Sequence, residues 1–515
     1  MWRAYPLAVG AALSCLGYGF TLARLLGIAV TLGDAGILGL VCLALLGCAI
    51  HFVSALSPAV QFAVLGAGLA ICALFRNELV RQSRGNLAAI LVGLSAFFHR
   101  FAITFYDTGL YHLQAVQWNS RFPVTLGLGN LHGRLAFNSL LYTMAPLDDL
   151  AGIGWISGLL LLLFVLLSCY TRFSQARRDS VEYWFLAAAT CLLALGAPGL
   201  LEWLGVLNAD GFVAILTVYW FSVALSLPGQ ARTSVALLLL SAALALTVKL
   251  SAAPLLALAL AAAWLHRRGE GPSPLRPLAA AAVLLGLWMA RGIALSGCAA
   301  YPLAQSCLDL PWAVSRSQAA LELVGTKAWA RAAGRLDYLN VMADWTWLGP
   351  WAVHTLRNWS CRLFLFGGLA GVAALLAGAR TSRRAMAFLA GLGLCLAYWF
   401  WSAPDARFGS GYLAVAGLLG LSLACTVLFP PSDLLRRLVP EALVLSALLG
   451  AASLAHFGNT WAIESRPAFE MRAAPGGKPI SVTGADTQGS DQCWDRPVPC
   501  TPYFDSEKLK RVRWR

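Results

Sequence analysis

Charge is what this chain has least of. Only 12% of its 515 residues are Asp, Glu, Lys or Arg, against 59% apolar residues, a balance that excludes a soluble domain of this length. Acid is scarcer than base, with 24 Asp and Glu against 38 Lys and Arg. The alternating ten-residue strand pattern of outer-membrane proteins is missing, which excludes a membrane β-barrel. Neither a Walker nor a Rossmann glycine signature is present, nor an HExxH motif, and no internal repeat marks an inverted-repeat transporter. A basic face with interleaved aromatics is also lacking, so the formal charge of +14 does not point to nucleic acid.

What is present is a succession of apolar runs long enough to cross a hydrocarbon layer about 30 Å thick as helices. With a mean hydropathy of +0.69, the chain reads as an all-α polytopic membrane protein. Spans are expected near 5–23, 34–54, 58–75, 87–106, 148–170, 184–203, 210–228, 277–296, 361–379, 385–402, 410–429 and 441–457. The run from Ser234 to Leu265 is too long for one crossing and is interrupted by Lys249, Ser251 and Pro254. It reads as two short helices meeting at a break, which brings the total to about fourteen crossings.

Arginine sets the orientation, because short cytoplasmic loops carry the positive charge. Arg76, Arg81 and Arg84, then Arg172, Arg177 and Arg178, then Arg232, then Arg267, Arg268 and Arg276, then Arg380, Arg383 and Arg384, and finally Arg436 and Arg437 mark the inner loops. Segments 107–147, 197–209, 297–360 and 403–409, the tail from Gly458 and both termini then face outward. The first span lacks the flanks of a cleavable signal and is expected to stay as an anchor. Three regions follow: additional N-terminal helices over 1–86, a membrane core over 87–457, and an outer tail over 458–515 with no apolar core of its own.

Most of the 13 cysteines lie in apolar spans as small core residues. Cys298 and Cys307 in the long outer loop, and Cys493 and Cys500 in the tail, have spacings that close disulfides in an oxidising compartment rather than the CxxC spacing of a zinc site.

Polar chemistry concentrates in one outer segment, YDTGLYHLQAVQWNSRFPVTLGLGNLHGRLAFNS, residues 106–139. Asp107 follows a span directly, where a carboxylate suits a general base, although Asp-Thr-Gly also permits a helix cap. Tyr111 and Gln114 fall on the same side of a helical continuation. Asn130, His132, Arg134 and Asn138 surround Gly127, Gly129 and Gly133, a loop able to present N–H groups and a guanidinium to an anion, or simply a tight turn. His112 and His132 with Asp107 could ligate a divalent metal, but they lack a dense ligand motif and no cofactor is required. Asp210 reads equally as a first-turn helix residue or a catalytic acid. Lys249 either pairs with a carboxylate or holds a phosphate, and the phosphate is preferred; Arg291 and Arg407 could serve the same anion. Trp118, Trp312, Trp345 and Trp347 could stack on sugar rings or anchor the membrane interface.

An acid just past an early outward-going helix (YDTGLYH), a second acid in the next outer loop, a Lys before a small-residue and Pro break (TVKLSAAP) and a late Arg-aromatic (DARFGSGYL) resemble the GT-C glycosyltransferases, over roughly Ala88 to Gly420. YDTGLYH with GNLHGRLAFNS also resembles an uncharacterised family of bacterial inner-membrane proteins. The GT-C resemblance implies a polyprenyl-phosphate-linked sugar as donor and a glycan, lipid or protein of the cell envelope as acceptor. It further implies inverting transfer on the outer face of the bilayer, with Asp107 as base. The chain departs from better-known members in having Thr after Asp107, extra N-terminal spans and a short tail. A transporter or flippase of a lipid-linked glycan, or a polymerase or ligase using a diphosphate donor, is the alternative.

Overall fold

The structure is a computed structural model. It describes residues 4–98, 105–144, 156–178, 180–195, 204, 207–226, 231–268, 274–332, 339–379, 383–428, 438, 442, 446, 469–483 and 491–514.

Helices α1 (Ala4–Leu26) and α2 (Leu32–Val53) form an antiparallel pair. Thr31 caps α2 by accepting from the Asp34 amide at 3.2 Å, which satisfies one donor of the exposed first turn. The next helix, α3 (Pro58–Leu74), starts on a proline and bends by 73° into α4 (Arg76–Gly85), which carries Arg76, Arg81 and Arg84. A short α5 (Leu87–Leu94) leads to the outer segment and its helix α6 (Leu113–Arg121). After these come α7 (Ile156–Gln175), α8 (Val181–Leu195), α9 (Ala209–Leu225), α10 (Ala231–Val248), α11 (Ala253–Arg268) and α12 (Leu275–Ser296). The long outer loop contains α13 (Arg316–Ala332) and α14 (Leu348–Thr355), and α15 (Trp359–Leu376), α16 (Arg383–Ser402) and α17 (Ala406–Leu428) complete the body.

Seven of the described helices are long and apolar enough to cross a membrane: Pro6–Leu26, α2, α7, Leu250–Arg267, α12, α15 and α17, with the bent α3–α4 pair an eighth if taken as one span. Shorter apolar helices include α8, α9 and stretches of α10 and α16. The outward faces are apolar: Phe366, Leu369, Val372 and Leu376 on α15 are exposed, as expected of surfaces that meet lipid instead of water. The chain is therefore a helical, membrane-embedded protein. The span expected at 441–457 and the outer ends of those expected at 87–106, 148–170 and 184–203 lie at least partly outside the described residues.

Two features fix the body. Helix α7 is sheathed on nearly all sides, with Phe164, Phe173 and its leucines fully buried. Across its C-terminal end, Arg172 makes a two-pronged pair with Asp34 of α2 at 3.0 and 3.1 Å, while Ser168 and Tyr219 donate to the same carboxylate at 2.9 and 3.0 Å. Every acceptor of this buried carboxylate is engaged, the condition under which a buried ion pair is tolerated. Arg172, in the last turn of α7, ties α2, α7 and α9 together.

The tail differs from expectation. Its β1 (Phe469–Ala473) pairs antiparallel with β2 (Pro479–Thr483), and β2 runs parallel to the short β3 (Cys500–Thr501). Ile480, Val482, Leu509 and Val512 are buried in the same core cluster as the outer segment. The tail thus has no core of its own, as its composition implies, but it borrows one, and a small sheet adorns an otherwise helical protein.

Candidate functional site

The site grows from a break in helical regularity. Helix α10 ends at Val248, Lys249 is extended (φ −156°, ψ 135°), and a 3-10 turn over Leu250–Ala252 restarts the chain into α11. The expected interruption at Lys249 is therefore present. It lifts the ammonium out of the helical ladder and turns it toward Asp210, in the first turn of α9, to which Lys249 Nζ donates. Asn208 caps α9 by accepting from the Asp210 amide at 2.7 Å. The Asp210 carboxylate is accordingly not the cap; its second oxygen faces Arg407 Nε at 3.2 Å.

Arg407 is the hub. It starts α17, its Nη1 lies 3.4 Å from Asp107 Oδ2, and its amide donates to Asp405 Oδ1 at 2.8 Å. Phe105, Trp329 and Phe408 surround the guanidinium with ring centroids 5.1, 5.0 and 5.1 Å away, and Lys249 Nζ sits 3.8 Å from the centroid of Phe408. Such rings exclude water while favouring cations, so the ion pairs act in a medium of low effective dielectric.

Asp107 precedes a turn of π-helix, Thr108–His112, whose five residues are all buried. Its side chain makes no capping bond, so the cap alternative does not hold; the carboxylate points to Arg407 instead. Four segments far apart in sequence thus bring Asp107, Asp210, Lys249 and Arg407 into one cluster. Burial pushes the Asp405 carboxyl up, against the opposing pull of Arg407. Burial, then the nearby Asp107 carboxylate, pushes the Tyr111 phenol up.

Beside the cluster opens a cavity of about 330 Å³ lined by Trp351, His354, Arg357, Asn358, Asp405 and Arg407 among others. It falls within the size range of small-molecule sites. Among the described residues Arg357 forms no ion pair. Neither Asp405, Arg357 nor His354 was singled out from sequence. Asp405 was readable as an acid two residues before Arg407, whereas Arg357 looks like any other outer-loop arginine.

The remaining sequence candidates divide. Tyr111 and His112 lie close by: the His112 ring is edge-on to Tyr111 (4.4 Å between centroids) and tilted against Tyr142 (5.5 Å). Gln114 is engaged elsewhere, donating to the carbonyls of Trp494 and Arg496 at 3.1 and 2.8 Å. Asn130 ties the glycine loop together by donating to the Gly127 and Trp312 carbonyls. Gly127 adopts φ +76°, and a side chain there would run into the Trp312 and Arg511 carbonyls, so the tight-turn alternative describes this loop. Arg134 pairs with Glu322 at 3.0 Å. His132 packs against Tyr503, and burial, aided by Arg134, pushes its imidazole down to about 3.

Asn138 and Arg291 form a separate knot away from the cluster. Arg291 donates to Asn138 Oδ1 at 2.7 Å, Asn119 Oδ1 at 3.0 Å and His51 Nδ1 at 3.3 Å, while Asn138 Nδ2 donates to the Trp288 carbonyl. This knot fastens the outer segment to α2 and α12. Disulfides join Cys298 to Cys307 and Cys493 to Cys500. Trp118 is buried beside Phe122 and Trp514, and Trp312 donates to the Ile293 carbonyl; Trp345 is exposed and stacks on Trp347. No group of three potential metal ligands converges among the described residues; His112 and His132 contact different neighbours.

Fold and site together define a polytopic helical membrane protein in which Asp107 meets Arg407, and Asp210 meets both Arg407 and Lys249, where two later helical junctions come together. The chain belongs to the family described as a domain of unknown function (DUF8201), which matches residues 8–414. The match takes in Asp107, Asp210, Lys249 and Arg407 and ends before the tail. No curated protein and no solved structure matches the chain.

Proposed function

We propose that the protein is a GT-C-like inverting glycosyltransferase of about fourteen crossings in the bacterial inner membrane. It would move a sugar from a polyprenyl-phosphate donor to an envelope glycan, lipid or protein on the outer face. The observation that carries this reading is the convergence of Asp107 and Asp210 with Lys249 and Arg407 beside an open cavity. Clustered ions at the edge of a membrane body are costly unless function retains them.

In this reading Asp107 takes the proton of the acceptor hydroxyl while that oxygen attacks the anomeric carbon. The anomeric C–O bond breaks, and polyprenyl phosphate leaves with the electron pair. Arg407 stabilises the charge building on the leaving phosphate, with Arg357 of the cavity wall as a second cation, and such groups act most strongly where water is excluded. Lys249 holds Asp210 and, through it, the orientation of Arg407; it replaces neither. Donor phosphate competes with Asp107 for Arg407, so donor arrival frees the base for its task. No metal is required by these steps.

The test is release of polyprenyl phosphate from a panel of polyprenyl-phosphate sugars by purified protein with envelope acceptors. Wild type should release it and Asp107→Asn should not, with donor binding retained. Equal turnover by Asp107→Asn would sink the assignment of the base. Donor binding without release by wild type would favour transport of the lipid-linked glycan or a diphosphate donor.

A further inference from the structure

The turn that carries Asp107 is fastened from outside the membrane body, by residues beyond the family match. Gln492 Nε2 donates to the Tyr106 carbonyl at 2.9 Å, and the Tyr106 hydroxyl donates to Asp491. Three residues on, the Gly109 carbonyl accepts from the Trp494 amide at 2.8 Å. Gln114, one helical turn further, grips the Trp494 and Arg496 carbonyls. Both flanks of Asp107 are therefore bonded to the single stretch 491–496, and the Cys493–Cys500 disulfide closes residues 493–500, which include Trp494 and Arg496, into a loop.

The contact is also steric. The Trp494 indole is buried over Gly109, and a methyl added at Gly109 would fall inside the ring. Trp494 itself has φ +49°, a backbone state that a bulky residue adopts only where its surroundings hold it there. The rest of the tail docks through independent bonds. Thr501 Oγ1 donates to the Leu131 carbonyl at 2.7 Å, Arg511 Nη1 to Ala313 at 3.1 Å, and the Arg513 amide to Leu126 at 3.0 Å. Loosening the loop at Trp494 therefore leaves the tail attached.

We propose that segment 491–500, closed by a disulfide over 493–500, is a clamp that sets the Asp107 turn against Arg407, with Trp494 as its positioning residue. The turn's dependence on the loop stands on geometry alone; its consequence for turnover rests on the proposed transferase reading. The turn has its own bonds, Thr108 amide to Phe105 carbonyl and Leu113 amide to Thr108 carbonyl, and the tail adds the two flanking carbonyl bonds and the indole, which fix it from outside. A misplacement of the order of 1 Å at a base costs roughly a hundredfold in rate.

The experiment uses the full chain in detergent and reads two quantities: hydrogen exchange of the 106–113 amides and release of polyprenyl phosphate. Trp494→Ala and Cys493→Ser/Cys500→Ser should speed exchange at 106–113 by about tenfold or more while leaving α7 unchanged. They should also lower kcat by roughly tenfold or more with donor KM little altered, and Trp494→Phe should restore most of both. Gly109→Ala perturbs the same contact from the opposite side and carries the test if the Trp494 variant does not fold. Unchanged exchange at 106–113 in these variants overturns the clamp. Faster exchange with wild-type turnover overturns the positioning role. Faster exchange in a protein whose wild type releases no polyprenyl phosphate supports the clamp and removes the transferase reading.

Discussion

Lys249→Met separates the two roles open to this lysine. Methionine keeps most of the stem volume and removes the charge, so the change reads the ion pair more than the packing. The Asp210 side chain is only 4% exposed, and removing one partner of a buried pair costs about 3–5 kcal/mol because the survivor is left uncompensated. Asp210 keeps Arg407 at 3.2 Å, which places the expected loss near the lower end, about 3 kcal/mol. Asp210→Asn/Lys249→Met removes both charges and should recover to within about 1 kcal/mol of wild type, about 2 kcal/mol more stable than Lys249→Met alone. Unfolding of the four proteins of the cycle in mixed micelles, followed by tryptophan fluorescence, measures it. A single variant as stable as wild type would refute the structural pair. The ammonium would then be available to a ligand, and the phosphate role preferred from sequence would return.

Three further outcomes are expected. His132 is buried neutral, its value down at about 3 from 6.5. The stability it contributes is full above pH 6.5 and falls as the pH drops toward 3, by up to about 1.4 kcal/mol per unit. Melting curves should lose roughly 2 kcal/mol between pH 7 and 5, and His132→Gln should flatten that slope; an equal slope in the variant refutes the assignment. Gly420→Leu drives a side chain into the Gly367 carbonyl where α15 and α17 cross, whereas Gly368 has nothing within 4 Å of an added Cβ. The first should cost about 2–3 kcal/mol and Gly368→Ala almost nothing, measured by thermal melting. Asp34→Asn should destabilise by about 3 kcal/mol or more without changing the donor affinity of the protein that remains folded, as read by equilibrium binding.

Single-residue anomalies were legible in the sequence, and partnerships were not. Lys249 stands out because an ammonium in an apolar run is expensive and Pro254 follows close behind, so the break it marks was readable. Asp107, Asp210 and Arg407 stand out for the same reason. Their mutual contacts span 39 residues for Lys249 with Asp210 and 300 for Arg407 with Asp107, distances over which no local pattern carries information. Gly127, Gly129 and Gly133 illustrate a different limit. Glycine permits a backbone to approach an anion or another backbone equally well, and only the Trp312 and Arg511 carbonyls decide between them. The tail was legible in part: that it lacks a core of its own was readable, and which residues it docks with was not. Its apolar residues are too few for a domain, yet Ile480, Val482, Leu509 and Val512 suffice to complete a core that the outer segment begins.

Among the described residues two buried ion networks stand out, and their difference supports the proposed site better than either does alone. At the C-terminal end of α7, one guanidinium meets one carboxylate, and Ser168, Tyr219 and Thr31 complete the set. Charge is balanced, no cavity adjoins among those described, and nothing is left for a ligand to do; this is a structural tie. At the cluster around Arg407, Asp107, Asp210 and Asp405 directly contact Lys249 and Arg407 among the described residues, three carboxyl groups against two cations, with Arg134 acting on Asp107 and His112 on Asp210 from farther off; direct contact thus leaves a surplus of one acid. Burial answers part of that surplus by pushing the Asp405 carboxyl up, and the adjoining cavity brings Arg357 as a further cation. A network left unbalanced beside open space rearranges when an ion enters, because an anion that reaches Arg407 must displace a carboxylate already there. The carboxylate with the longest bond to Arg407 and the greater exposure is Asp107, at 3.4 Å and 18% against 3.2 Å and 4% for Asp210. In the proposed transfer, Asp107 is therefore the first carboxylate that an incoming phosphate would release, which would leave it free to act as the base.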